Sequence, residues 1–137
     1  MRRSTAWVTA AAAVVCAGLS LVLPWAHYGG ITFSVLSIPG WPVYVAAQSA
    51  AAGCAVIHLS GSMRAARPGL LAVLSALVAA GVTGWLISRY NDASLFFDAV
   101  VPMVRPRPGL GGAVGLLGAL AAGAVAAVPA RRDAVTP

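Results

Sequence analysis

The side chains able to do chemistry are few, and they crowd into two stretches between apolar runs. His27 stands in the first, and Arg89, Asn91, Asp92, Asp98, Arg105 and Arg107 stand in the second. Histidine with aspartate raises a metal site, pairing His27 with Asp92 or Asp98, but no ligand-spacing motif accompanies them. The expectation is a solvated polar surface with one or two Asp–Arg pairs, each worth under about 1 kcal/mol. No catalytic residue, metal or cofactor is assigned. With Phe96 and Phe97 added, the stretch becomes a candidate partner surface: His27, Arg89, Asp92, Phe96, Phe97, Asp98, Arg105 and Arg107.

Other chemistries lack their parts. A bis-histidine haem would need His27 and His58 together, yet nearly a full apolar run separates them. Neither GxSxG, HExxH, a Walker loop nor a usable carboxylate pair is present, so an enzyme is not expected. The Gly-rich segment from Gly109 to Gly115 has no Lys and opens an apolar run. Proton-coupled transport needs a carboxylate within the membrane, and no apolar run holds one. Cys16 and Cys54 sit mid-run without a CxxC pattern, as small packing residues.

The elements that position these groups follow from composition. Of 137 residues, 60% are hydrophobic and 9% charged, against about a quarter charged in an ordinary soluble domain. Such a chain cannot clothe itself in polar groups and requires an apolar solvent. Four uncharged runs, Ala6–Leu23, Trp41–Leu59, Gly69–Ser88 and Leu110–Val128, are each about 18 to 20 residues, the length that crosses a bilayer as helix. Helix is required because backbone amides in lipid must bond within the segment. The expected fold is all-α: a four-transmembrane-helix bundle, one domain over residues 1–137, with short loops and a small extracytoplasmic cap.

Arginine placement orients the bundle. Arg2, Arg3, Arg64, Arg67, Arg131 and Arg132 fall on one side; Arg89, Arg105 and Arg107 fall on the other. The positive-inside rule puts both termini in the cytoplasm and the protein in the cell membrane. The net charge of +6 reads as this topology signal, with no nucleic-acid partner. Trp25, Tyr28, Trp41, Tyr44, Trp85 and Tyr90 form an expected aromatic belt at the outer interface, with Trp7 at the inner one. The first run resembles a signal peptide but shows no small-x-small cleavage site, so it is expected to stay as an anchor.

Small residues recur every four positions: Ala72, Ala76, Ala80, Gly84 and Ser88 on the third run, and Gly111, Gly115, Ala119, Gly123 and Ala127 on the fourth. Close backbone approach through such stripes drives helix association in lipid. Ala76, Ala80, Gly84, Gly111 and Gly115 are the expected packing positions. Gln48, the one amide within a run, is expected to bond across helices.

The outer loops allow several structures. Ile31 to Val35 alternates with β-branched residues, a strand pattern. Asn91 or Asp92 suits the cap of a short helix lining Phe96, Phe97, Val100 and Val101 up to Pro102. A strand at Val100 to Val104 pairing with the first loop is the other arrangement.

Leu23-Pro24-Trp25 after the first run and Arg107-Pro108-Gly109-Leu110-Gly111 before the fourth resemble the small four-helix integral membrane proteins of high-GC actinobacteria. Arginine without lysine and the abundance of alanine agree with that resemblance. It implies location and topology and no catalytic residues. The functional expectation is a non-catalytic accessory subunit of a membrane-protein partner or a self-associating one. The alternative is a small oligomeric transporter or channel.

Overall fold

The structure, a computed structural model, describes residues 3–61, 68–89, 91–97 and 104–128. Four helices dominate it: α1 (Arg3–Val22), α2 (Trp41–Ser60), α3 (Pro68–Ser88) and α4 (Leu110–Ala126). Each falls on one of the four apolar runs. Local chemistry marks their ends. Gly40 and Gly61 flank α2 in the left-handed conformation, with φ of 98° and 70°, where a side chain would be strained. Pro42 occupies the first turn of α2, a position that needs no amide hydrogen.

The fold is mostly helical, with one addition to the all-α expectation. Three short strands, β1 (Ala26–Tyr28), β2 (Ile31–Phe33) and β3 (Arg107–Pro108), form an antiparallel sheet in the order β2-β1-β3. The alternation read at Ile31 to Val35 is a strand for its first three residues. The partner from the second loop among the described residues is Arg107–Pro108; of the Val100 to Val104 segment only Val104 lies within the described residues, and it is not in a strand. Of the short helix expected after Asn91 or Asp92, the part through Val100, Val101 and Pro102 lies outside the described residues. Ala93–Leu95 make a single 3-10 turn, closed by the Leu95 amide donating to the Asp92 carbonyl at 3.1 Å.

Connections at one end bind tightly. The Trp25 amide donates to the Phe33 carbonyl at 2.7 Å, and the amides of Gly109 and Gly111 donate to the carbonyls of Trp25 and Pro24, both at 2.9 Å. Unpaired N–H groups at the start of α4 are thus satisfied by the chain that leaves α1. The sheet and the 3-10 turns form a cap over this end.

Packing follows a heptad-like rhythm. Inward positions run 6, 10, 13, 17 and 20 on α1, 44, 48, 51, 55 and 58 on α2, 72, 76, 79, 83 and 86 on α3, and 111, 115, 118, 122 and 125 on α4, with 47 on α2 and 112, 119 and 126 on α4 buried beside them. Steps of four and three alternate in every helix, as in left-handed bundles. The four-residue stripes hold for part of their length. Gly111, Gly115 and Ala76 are buried as expected. Ala80 is only half-buried, and Gly84 is exposed with nothing within 4 Å of where its Cβ would stand. A step of four residues turns about 400°, so a strict stripe drifts out of the interface; on α3, Ala79, Thr83 and Leu86 take its place.

Candidate functional site

Two groups of side chains hold most of the polar contacts between elements. The first lies inside the bundle, toward the capped end. Ser20 on α1 donates to the Ala17 carbonyl at 2.7 Å. Its single proton is therefore engaged, so the Tyr44 hydroxyl of α2 donates to Ser20 Oγ, 2.5 Å away. One turn along α2, Gln48 Nε2 donates to Thr83 Oγ1 of α3 at 3.1 Å and to the Gly115 carbonyl of α4 at 3.0 Å. Thr83 Oγ1 donates in turn to the Ala79 carbonyl at 2.6 Å. The expected interhelical role of Gln48 is therefore observed, and the knot joins all four helices.

Aromatic residues roof this knot. The Trp25 indole N–H donates to the Ser20 carbonyl at 2.7 Å, and its ring meets Tyr44 edge-on with centroids 5.0 Å apart. Gly111 and Gly115 make room: a Cβ at 111 would overlap the Trp25 indole, and one at 115 would overlap the Tyr44 hydroxyl. The aromatic belt is corrected accordingly. Trp25, Tyr28 and Tyr44 are buried, whereas Trp41 and Trp85 stand 40% and 49% exposed on the outside. Tyr90 lies outside the described residues. The signal for the core role was present: Tyr44 and Gln48 are four apart on one face of α2.

The second group is the cap. Tyr28 and Phe33 pack against Phe96 and Phe97, with ring centroids between 4.6 and 5.9 Å. Phe96 and Phe97 are half-buried inside this cluster and hold the second loop to the sheet. His27 pairs in register with Thr32 on one side and Arg107 on the other. Arg105 and Arg107 are exposed. Arg89 lies over the Trp85 ring, 5.6 Å from its centroid, and its Nε is buried without a hydrogen-bond partner. Asp92 accepts from Ser94 at 2.6 Å, and no ion pair with an arginine forms among the described residues. Asp98 lies outside them. The structure thus sets His27 beside Arg107 in register and brings Phe96 and Phe97 to Tyr28 and Phe33; among the described residues no group of three His, Cys, Asp or Glu gathers.

The far end holds one residue the sequence gave no reason to place in the core. His58 is buried and donates through Nε2 to the Val128 carbonyl at 2.8 Å, while Nδ1 has no partner. It fastens the end of α4 to α2.

Between α1 and α2, which pack least closely of the neighbouring helices, a groove of about 280 Å³ opens sideways. Val14, Ala17, Gly18 and Leu21 line one wall, and Val45, Gln48, Ser49 and Ala52 the other.

These features define a mostly helical protein, three of whose four helices are long and apolar enough to cross a membrane. Comparison with protein-family models, curated proteins and solved structures gives no match.

Proposed function

We propose that the chain is a four-span integral membrane protein of the cell membrane, both termini cytoplasmic, that works as a non-catalytic partner subunit. The outward faces of the helices support the membrane setting: Val8, Val15, Leu19, Leu74, Leu77, Val78, Leu117 and Leu120 are all exposed, and such a surface is stable only against hydrocarbon. Helix α4 has 17 residues, about 26 Å at 1.5 Å per residue, the lower limit for a span. It packs on all three other helices, so it shares their depth.

The observation that carries the partner role is the open α1–α2 seam. The rest of the bundle closes on itself through glycine, alanine and the polar knot, whereas this seam leaves small residues and Ser49 facing lipid. Small residues that let a backbone approach are the ordinary basis of helix association in membranes. The transporter reading needs a polar line through the bundle. Its five candidate groups, Thr9, Ser20, Gln48, Ser75 and Thr83, are each hydrogen-bonded within the chain, which favours the partner reading.

Photo-crosslinking from positions 18 and 52 in native membranes tests it. A discrete adduct with another membrane protein, or with a second copy, is expected from these positions and not from Leu117, an exposed residue of α4 that does not line the seam. Recovery of an unlinked monomer from both positions overturns the proposal.

A further inference from the structure

Across the three strands of the cap, Thr32, His27 and Arg107 stand in one row, since His27 is the register partner of both others. Directly opposed residues of antiparallel strands point to the same side, about 5 Å apart. Ala26 and Tyr28, one residue to either side, are buried, so the row occupies the opposite, outward face; Thr32 and Arg107 are exposed and His27 is half-buried. Arg105 lies two positions before Arg107 and is also exposed. Among the described residues none of these four side chains is held by a hydrogen bond or ion pair of its own chain.

Charge points the same way. The capped end carries Arg89, Arg105 and Arg107 against one described acid, Asp92, whose Oδ1 is engaged by Ser94. Under the four-span reading, on which this inference rests, the cap lies on the translocated side. Arginine there opposes the bias that sets orientation; Arg89 has the Trp85 ring, which leaves Arg105 and Arg107 open to a compensating interaction. Depth supplies one: β1 begins four residues after the end of α1, at the level where lipid headgroups lie.

We infer that the Thr32–His27–Arg107 row, with Arg105, binds the phosphate of an anionic phospholipid in the outer leaflet. Arg107 provides a planar pair of donors suited to phosphate, Thr32 a hydroxyl donor, and His27 a ring N–H. Across about 10 Å of sheet these donors converge on one headgroup.

The test uses the full chain purified in neutral detergent. Its melting temperature is measured with added phosphatidylglycerol, with phosphatidylcholine of the same acyl chains, and with inorganic phosphate at the same concentration. Phosphatidylglycerol is expected to raise Tm about 3 to 6 °C beyond phosphatidylcholine, and R105Q/R107Q to abolish that difference without lowering the lipid-free Tm. Equal shifts from the two lipids, a difference that survives in R105Q/R107Q, or a full shift from inorganic phosphate alone overturns the headgroup assignment. Chain released from membranes by alkaline carbonate refutes the membrane reading itself, whereas a detergent-dependent chain indifferent to phosphatidylglycerol refutes only this inference.

Discussion

The Tyr44 hydroxyl lies directly against the Gly115 backbone, at a position where any Cβ on residue 115 would overlap it. That one contact lets α2 and α4 approach closely enough for Gln48, a turn further on, to reach the Gly115 carbonyl at 3.0 Å.

Enlarging residue 115 therefore separates the two helices. Gly115→Ala is expected to cost about 1 to 3 kcal/mol by overpacking, and Gly115→Leu more. Gly84→Leu, with open space around it, is expected to change stability by less than about 0.5 kcal/mol. Thermal melts of the detergent-solubilised variants read both, and an equal loss at the two sites would refute the packing described.

Removing the knot's amide while keeping its volume isolates its bonds. Gln48→Met forfeits the contacts with Thr83 and Gly115; interhelical bonds in membranes average about 0.6 kcal/mol each. The expected destabilisation is about 1 to 2 kcal/mol. A double-mutant cycle with Thr83→Val, in reversible unfolding in micelles, should return a coupling near one bond; zero coupling would show the two groups act separately.

Trp25 is a core residue, not an interfacial anchor. Trp25→Ala removes the edge contact with Tyr44 and the bond to Ser20 and is expected to cost about 3 to 5 kcal/mol. Trp41→Ala, at an exposed ring, is expected to cost far less. Similar losses at both would restore the belt reading for Trp25.

The cap has its own aromatic cluster, so it should loosen separately from the bundle. Phe97→Ala, at a ring that meets Tyr28 and Phe33, is expected to speed amide exchange of β1 and β2 while leaving the exchange of Ala47 to Ala55 in α2 unchanged. Faster exchange in both places would mean that cap and bundle unfold as one unit.

Much of the helical framework was legible because hydrophobic run length, proline and glycine act locally. Helices α1 to α4 lie on the four apolar runs, with Pro42 and Gly61 at their edges. Which face of each helix turns inward was only half legible. On α3 a stripe at every fourth position picks out Ala72 and Ala76 correctly, then carries Gly84 out to the surface, because helix geometry accumulates about 40° per step. The cap was less legible still. A strand at Ile31 was visible from alternation, but its sheet depends on Arg107 and Pro108 meeting Ala26 and His27 across some eighty positions of chain, and no local pattern encodes that.

Composition and run length by themselves determined that this chain forms long apolar helices, three of them able by length and composition to cross a membrane, since both follow from the free energy of single segments in lipid or water. Tertiary structure alone decided that Tyr44 and Trp25 belong to the core, that Ser20, Gln48 and Thr83 are joined in one knot, and that His27 stands beside Arg107. Those outcomes depend on how closely four helices approach, which is set by clearances of a few tenths of an ångström between groups far apart in the chain.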